Sequence, residues 1–156
     1  MENATENAGT DRLIASRTVD APVERVFALL ADPDTHRKFD SSGTVRGSQT
    51  HTVLTEVGDV FRMDMHAEVV GGDYQTDNVV TAYRRDAEIA WAPGAAGREP
   101  FGHTYAYELR PDGDDRTVVT LTYDWSGVTS PRVRSLCPFV SAVQLRESLD
   151  LLAGAL

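Results

Sequence analysis

The residues best suited to chemistry lie in one alternating aromatic run. Between Phe101 and Arg110 the side chains alternate in size, and His103, Tyr105 and Tyr107 share one side of the predicted strand. Imidazole titrates near neutral pH, so His103 could act as a general acid or base. A tyrosine hydroxyl could donate to a carbonyl oxygen as charge develops on it. The alternative for His103 is a core histidine that bonds a tyrosine or a backbone carbonyl.

A larger apolar and aromatic set is predicted to face the same interior. These residues either have the inward parity of their strands or come from the short helices. A lining of this kind suits a planar or hydrophobic ligand, which would bind through its buried apolar surface and be oriented by a few polar groups. The ligand-binding candidates are Phe27, Phe39, Met63, Met65, Trp91, Tyr123 and Trp125. The alternative is that these side chains simply fill a core, and the pattern does not identify a ligand.

Other polar residues have less defined surroundings. His66 has outward parity and is predicted at the surface, whereas His36 lies at the rim of the interior or caps a short helix. The phase of the strands around Arg17 and Asn78 is ambiguous. An inward Arg17 would demand a carboxylate. Cys137 is predicted to be a small buried residue without an activating neighbour.

Composition and missing motifs exclude several classes of protein. The chain has 156 residues, and 15 Lys and Arg against 24 Asp and Glu give a net charge of −9, which argues against a nucleic-acid partner. The single cysteine excludes an internal disulfide. The sequence has no His-Glu-x-x-His, no P-loop and no Gly-x-Ser-x-Gly motif, so we predict no metal and no cofactor. It also has no apolar run near the roughly 18 residues of a membrane span and no secretory signal, which predicts a cytoplasmic protein.

The elements that must position these residues follow from periodicity. Residues 1–11 are predicted to be a disordered tail, and residues 12–156 a single domain. A strand over residues 12–19 precedes a short helix that starts after Pro22, and a second helical stretch follows Pro33. Several hairpin-spaced strands lie between residues 60 and 126. A long C-terminal helix carries an apolar stripe of Ala142, Leu145, Leu149, Leu152 and Leu156.

Two stretches carry a family resemblance. RTVDAPVERVFALLADPDTHRKFD, residues 17–40, resembles the opening of bacterial members of the START/SRPBCC superfamily, which includes polyketide cyclases, dehydratases and lipid carriers. GHTYAYEL, residues 102–109, is similar to a stretch of one actinobacterial branch. The resemblance implies an α+β helix-grip fold, in which a curved antiparallel sheet of about seven strands, two short helices and a long C-terminal helix enclose a cavity.

The resemblance and the lining together indicate a function class. The common expectation is a bacterial protein that binds a hydrophobic or aromatic small molecule in its interior. One alternative is a cofactor-independent polyketide cyclase or dehydratase, in which His103 transfers a proton and a tyrosine stabilises an enolate. Another is a non-catalytic carrier or sensor of a lipid-like or aromatic ligand, and a third is an interaction module. The sequence leaves the oligomeric state open, with a homodimer as one alternative.

Overall fold

One antiparallel sheet of eight strands dominates the fold of the described residues. The computed structural model describes residues 3–7 and 11–156. The strand order is β1-β2-β8-β7-β6-β5-β4-β3. The strands are β1 (Asn3–Asn7), β2 (Arg12–Val19), β3 (Val45–Ser48), β4 (Val60–Ala67), β5 (Gly72–Arg84), β6 (Glu88–Ala95), β7 (Thr104–Pro111) and β8 (Thr117–Asp124).

Three α-helices and two 3₁₀ turns complete the described part of the chain. The helices are α1 (Val23–Leu30), α2 (Pro131–Arg134) and α3 (Ala142–Gly154), and the 3₁₀ turns are Pro33–Lys38 and Glu68–Val70. This is the helix-grip α+β architecture that the resemblance implied, with two short helical elements near the start and a longer helix at the end.

The first strand lies where the sequence predicted a disordered tail. Asn3–Asn7 pairs antiparallel with β2, and Thr5 stands opposite Ile14. The other edge of β2 pairs with β8, so β1 satisfies backbone groups that would otherwise be open. Such pairing uses backbone N–H and C=O groups and needs no apolar periodicity, which is why the polar sequence gave no signal. The rest of the predicted tail, residues 1–2 and 8–10, lies outside the described residues.

The helix α1 and the following 3₁₀ turn deliver side chains to the concave face of the sheet. Val26, Phe27 and Leu30 form the buried stripe of α1. The Asp32 carboxylate then accepts a hydrogen bond from the backbone N–H of Asp34 at 3.0 Å, which starts the 3₁₀ turn.

The C-terminal helix α3 is the element that covers the opposite part of the sheet. The Ser141 hydroxyl and the Gln144 side chain form a reciprocal capping box at its first turn. Leu145, Leu149 and Leu152 are buried, as the apolar stripe predicted, and α3 lies mainly against β2. With these contacts α3 covers one half of the sheet, and α1 and the 3₁₀ turn cover the other half.

A salt bridge joins β2 to α3 and defines the surroundings of Arg17. The Arg17 guanidinium donates to the Asp150 carboxylate at 2.6 Å. Both side chains are partly exposed, at 30% and 46%, so this ion pair lies at the surface between β2 and α3.

Candidate functional site

The register of three strands places the predicted interior residues in one row. Trp91 of β6 stands opposite Tyr105 of β7, and Tyr105 stands opposite Tyr123 of β8. Residues that are opposite one another in an antiparallel pair point to the same face. The inward parity assigned to these residues therefore agrees with the register of the sheet.

A first aromatic cluster surrounds Trp91. The Trp91 ring stacks on His36 at 4.7 Å and on Tyr107 at 5.6 Å. Phe61 approaches Trp91 edge-on at 5.7 Å, and Phe39 approaches Tyr107 at 6.0 Å. Aromatic pairs of this geometry add about 0.5–1.5 kcal/mol each beyond burial. Trp91, Phe39 and Tyr107 therefore act as core side chains in this conformation.

His36 belongs to this cluster rather than to a rim. The side chain is buried, and its Nε2 bonds the backbone carbonyl oxygen of Leu30 at 2.8 Å. Burial lowers the pKa of His36 to about 4, although the Leu30 carbonyl and the Asp32 carboxylate oppose the shift. Its position after Pro33 gave no periodic signal of burial, so sequence reasoning left its place open.

A second aromatic cluster surrounds His103. The His103 ring lies 4.8 Å from Phe139, 5.8 Å from Tyr105 and 6.0 Å from Tyr123. Tyr105 stacks on Tyr123 at 4.9 Å, and Trp125 lies 5.1 Å from Tyr123. The structure thus brings together four of the predicted site residues at the end of the sheet where β7 begins and β8 ends.

His103 is buried with one ring nitrogen unsatisfied. The residue is 4% exposed, and its Nδ1 has no hydrogen-bond partner among the described residues. Burial lowers the pKa of His103 to about 4. The imidazole is therefore neutral at pH 7. The alternative of a core histidine bonded to a tyrosine or a carbonyl is not what the structure places here.

The remaining predicted lining residues lie apart from both clusters' centres. Phe27 packs edge-on against Tyr83 at 5.4 Å. Met63 is buried on β4, and Met65 is half-buried opposite Tyr74 of β5. The predicted set is thus split among several places on one concave face.

Two open grooves at the surface are lined by the described residues. One, of about 590 Å³, is lined by Arg46, Asp64, Met65, His66, Asp73, Tyr74 and Gln75. The other, of about 400 Å³, lies between the segment after the 3₁₀ turn and α3 and is lined by Asp40, Ser41, Gly43, Glu147, Asp150 and Leu151. Met65 is the one predicted ligand-binding residue in these two linings. The other candidates pack against neighbouring side chains, so a ligand that contacts them must displace part of this packing.

Polar residues that the sequence did not assign also face inward. Asn78 is buried, and its amide donates to the Phe61 carbonyl oxygen at 3.2 Å, so the ambiguous strand phase places it inside. Thr76, two residues earlier, is buried beside it. Thr76 stands opposite Met63, which the sequence predicts to face the interior. Because residues that are opposite one another point to the same face, the pairing of β4 with β5 could have predicted that Thr76 and Asn78 also face inward.

The inward tyrosines keep their protons. Burial raises the pKa of Tyr105, of Tyr107 and of Tyr123 well above the ordinary value, and the Asp40 carboxylate adds to the shift at Tyr105 and Tyr107. The Tyr123 hydroxyl accepts a hydrogen bond from the backbone N–H of Phe139 at 2.9 Å. Protonated phenols in an apolar interior can donate to a carbonyl oxygen.

His66 has contacts typical of a surface residue. Its Nδ1 lies 2.6 Å from Asp73 and its Nε2 lies 3.2 Å from Glu68, and the Asp73 hydrogen bond is the main cause that raises its pKa. Within the described ranges no group of three His, Cys, Asp or Glu side chains is placed to hold a metal ion. Nor does any helix in that part of the chain have the length and apolarity needed to cross a membrane.

The two buried histidines predict a loss of stability in mild acid. Their folded pKa values, about 4, lie below the unfolded value of 6.5, so the unfolded chain binds protons first as the pH falls. The free energy of unfolding is therefore at its full value above pH 6.5, where both imidazoles are neutral in the folded and the unfolded chain. It falls progressively as the pH is lowered toward 4. Between pH 7.5 and pH 5 we expect each histidine to remove about 2 kcal/mol from the free energy of unfolding.

Urea titrations at the two pH values measure this loss. His36→Phe should reduce the difference between them by about 2 kcal/mol, because the buried titrating group is gone. His51→Asn, at an exposed histidine that bonds Asp34, is the matched control and should leave the difference almost unchanged. A difference that is the same in wild type and His36→Phe would contradict the assignment.

The eight-stranded sheet, the early helical elements and the terminal helix define a helix-grip α+β protein. The family of polyketide cyclases, dehydrases and lipid-transport proteins matches residues 11–156, and the chain belongs to this family. The uncharacterized protein Rv0088 from Mycobacterium tuberculosis is 34% identical over 119 residues, which are 76% of this chain and 50% of that protein. The chain therefore spans about half the length of the curated relatives it matches.

Solved structures share the fold at low sequence identity. Protein Ms6760 from Mycobacterium smegmatis aligns with a TM-score of 0.72 at 15% identity, over 98% of this chain and 95% of that one. A protein from Arthrobacter aurescens aligns with a TM-score of 0.69 at 16% identity, over 97% and 91% of the two chains. At such identities the likeness establishes the fold alone.

Proposed function

We propose that the protein binds a hydrophobic or aromatic small molecule on the concave face of its sheet. The observation that carries this proposal is the inward row of Trp91, Tyr105 and Tyr123 with the unsatisfied His103 beside it. Once part of the surrounding packing is displaced, this row offers a large apolar contact area and a few polar groups that can orient a ligand. Membership of a family of cyclases and lipid-transport proteins supports the same class of ligand.

Passive binding, as a carrier or sensor, is favoured by the electrostatics of His103. A general base works best when its pKa lies near the working pH, and burial holds the pKa of His103 at about 4. No carboxylate is hydrogen-bonded to its ring among the described residues, so nothing there would stabilise an imidazolium. The net charge of −9 argues against a nucleic-acid partner.

Cyclase or dehydratase chemistry is the second candidate, and the tyrosines favour it. Burial keeps Tyr105 and Tyr107 protonated, so either hydroxyl could donate to a developing enolate without a cofactor. His103 would then move the proton. These three residues are our proposed catalytic set, and the reaction class is a ring closure or dehydration of a polyketide-like chain.

A ligand panel tests the proposed binding. Flavonoids, fatty acids and polyketide-like phenols should quench or shift tryptophan emission saturably, because Trp91 and Trp125 lie in or beside the two clusters. At a concentration near 100 Kd, linkage should stabilise the fold by about 2.7 kcal/mol and raise the melting temperature by several degrees. No response to any compound in either signal would refute the proposal in favour of a filled core.

The variant His103→Gln separates the two candidates on any compound that binds. If His103 transfers a proton, turnover should fall by roughly 10²-fold or more while affinity is kept. If it only orients the ligand, binding should weaken by about 1–2 kcal/mol, the scale of one hydrogen bond. A variant that loses stability but keeps both affinity and rate would place His103 in the core alone.

A further inference from the structure

The unsatisfied Nδ1 of His103 indicates where a ligand atom would bind. Leaving a buried polar atom without a partner costs about 1–3 kcal/mol, so native proteins rarely keep one without a use. Phe101, Tyr105, Tyr123 and Phe139 surround the ring, and none of them bonds this nitrogen. The atom is therefore free to bond a group that comes from outside the chain.

The neutral state of the ring decides what that group must be. A neutral imidazole carries one N–H and one lone pair. A buried N–H without a partner is rarer than an unfilled acceptor, which places the proton on Nε2 and the lone pair on Nδ1. A partner for Nδ1 must then donate a hydrogen bond, as a hydroxyl does and a carbonyl or an ether does not.

Phe139 covers His103 and is itself partly exposed. Its ring lies 4.8 Å from the His103 ring, yet the residue is 40% exposed. It belongs to residues 131–140, here called the strap, which begin with α2, lie between β8 and α3 and are mostly exposed. The backbone of Phe139 is held to the core by the 2.9 Å hydrogen bond from its N–H to the Tyr123 hydroxyl.

The surroundings of Phe139 allow its ring to leave. Phe101, Leu136 and Val143 are also exposed apolar side chains, at 38%, 60% and 50%. Phe101 lies just before β7, Leu136 lies on the strap, and Val143 lies in the first turn of α3. An aromatic ring can thus exchange with the Phe139 side chain without opening the sheet or the Trp91 cluster.

We propose that the Phe139 ring occupies a subsite for an aryl ring of the ligand, and that Nδ1 of His103 accepts a hydrogen bond from a hydroxyl on that ring. This inference rests on the proposed function and narrows its ligand to aromatic molecules with a phenolic hydroxyl. The stacked Tyr105 and Tyr123 rings supply the neighbouring apolar wall. The Phe139 ring turns outward when the ligand enters.

Three compounds of one ring size test the hydroxyl. Naphthalene, 2-naphthol and 2-methoxynaphthalene are titrated into the full chain, with affinity followed by calorimetry. Wild type should bind 2-naphthol about tenfold more tightly than 2-methoxynaphthalene, the value of one hydrogen bond. Nitrogen NMR of histidine-labelled protein should show the His103 Nδ1 resonance moving with 2-naphthol and not with the methyl ether.

Matched variants test the two residues. His103→Phe keeps an aromatic ring and should bind naphthalene but lose the preference for 2-naphthol. Phe139→Ala should tighten binding of all three compounds several-fold, because no side chain has to be displaced. Val69→Ala, at an apolar side chain of the Glu68–Val70 turn that is 89% exposed, is the control and should leave all affinities unchanged.

The outcomes separate this inference from the proposed function. Equal affinity of wild type for 2-naphthol and the methyl ether would overturn the hydroxyl subsite, while naphthalene binding would still support the proposed function. A preference that survives in His103→Phe would overturn it as well. No binding of these compounds or of the ligand panel would overturn the proposed function itself. If His103→Phe fails to fold, the wild-type affinities and the His103 resonance decide.

Discussion

Leu149→Asp should destabilise the protein by roughly 4 kcal/mol or prevent folding, because it buries a carboxylate without a partner. Leu149 is 1% exposed in the middle of α3 and lies in the helix face that packs on the sheet. The substitution removes apolar contacts and adds a charge that the interior cannot solvate. The expected readout is a large fall in the urea midpoint or the melting temperature.

The same substitution two residues along the helix is the control. Leu151 is 43% exposed, so Leu151→Asp places the carboxylate in water and should change stability by less than about 1 kcal/mol. Both variants alter α3 by the same chemistry and differ only in the face that carries it. Equal effects from the two would contradict the packing of α3 on the sheet.

The difference between the buried and the exposed face of α3 could be predicted because helical periodicity is a local property of the sequence. Leu145, Leu149 and Leu152 recur at the spacing of one helix face, and a face so apolar must be covered. The alternation of side chains in β7 and β8 is equally local, because the position of a residue in the alternation determines which face of the strand it occupies. The fold class and the inward positions of His103, Tyr105 and Tyr123 were therefore accessible from the chain.

Other parts of the structure depend on partners that sequence pattern does not record. β1 forms because β2 has an open edge, which is a property of the sheet and not of Asn3–Asn7. His36 is buried because the 3₁₀ turn after α1 places it on Trp91, which lies 55 positions further along the chain. The parity of a strand likewise does not say whether inward rings border a space or fill it.

At the candidate site too, the sequence predicts the residue types but not the contacts between remote segments. The residue types predicted an aromatic interior with an imidazole, and the structure places them there. That Nδ1 of His103 is unsatisfied, and that Phe139 from the strap covers it, follows from the meeting of two loops that are remote in sequence. The contact between these loops depends on Gly102, whose role no periodicity could indicate.

Gly102 sets the position of His103 by allowing two backbones to approach closely. Its φ is +117°, a conformation that residues with a side chain rarely adopt. A Cβ at this position would clash with the carbonyl oxygen of Gly127, in the turn that follows β8. Gly127 meets the same limit, because its own Cβ would lie 2.7 Å from the Gly102 oxygen. The two glycines thus hold the start of β7 against the end of β8.

Gly102→Ala should therefore cost roughly 3 kcal/mol or more, since both the dihedral strain and the backbone clash oppose it. The matched control is Gly113→Ala, at φ +77° in the turn between β7 and β8, where a Cβ meets no atom within 4 Å. That variant bears the strain alone and should cost about 1 kcal/mol. Urea unfolding of both variants measures the difference.

The clash at Gly102 should also reach the site. Relief of the clash that an added Cβ would make requires the two loops to separate, and His103 is the next residue in the chain. In Gly102→Ala we expect the His103 ring resonances to shift and the preference for 2-naphthol over its methyl ether to fall, whereas Gly113→Ala should keep both as in wild type. If Gly102→Ala and Gly113→Ala prove equally stable, the close approach of the two loops is wrong, and the burial of His103 that rests on it must be given up with it.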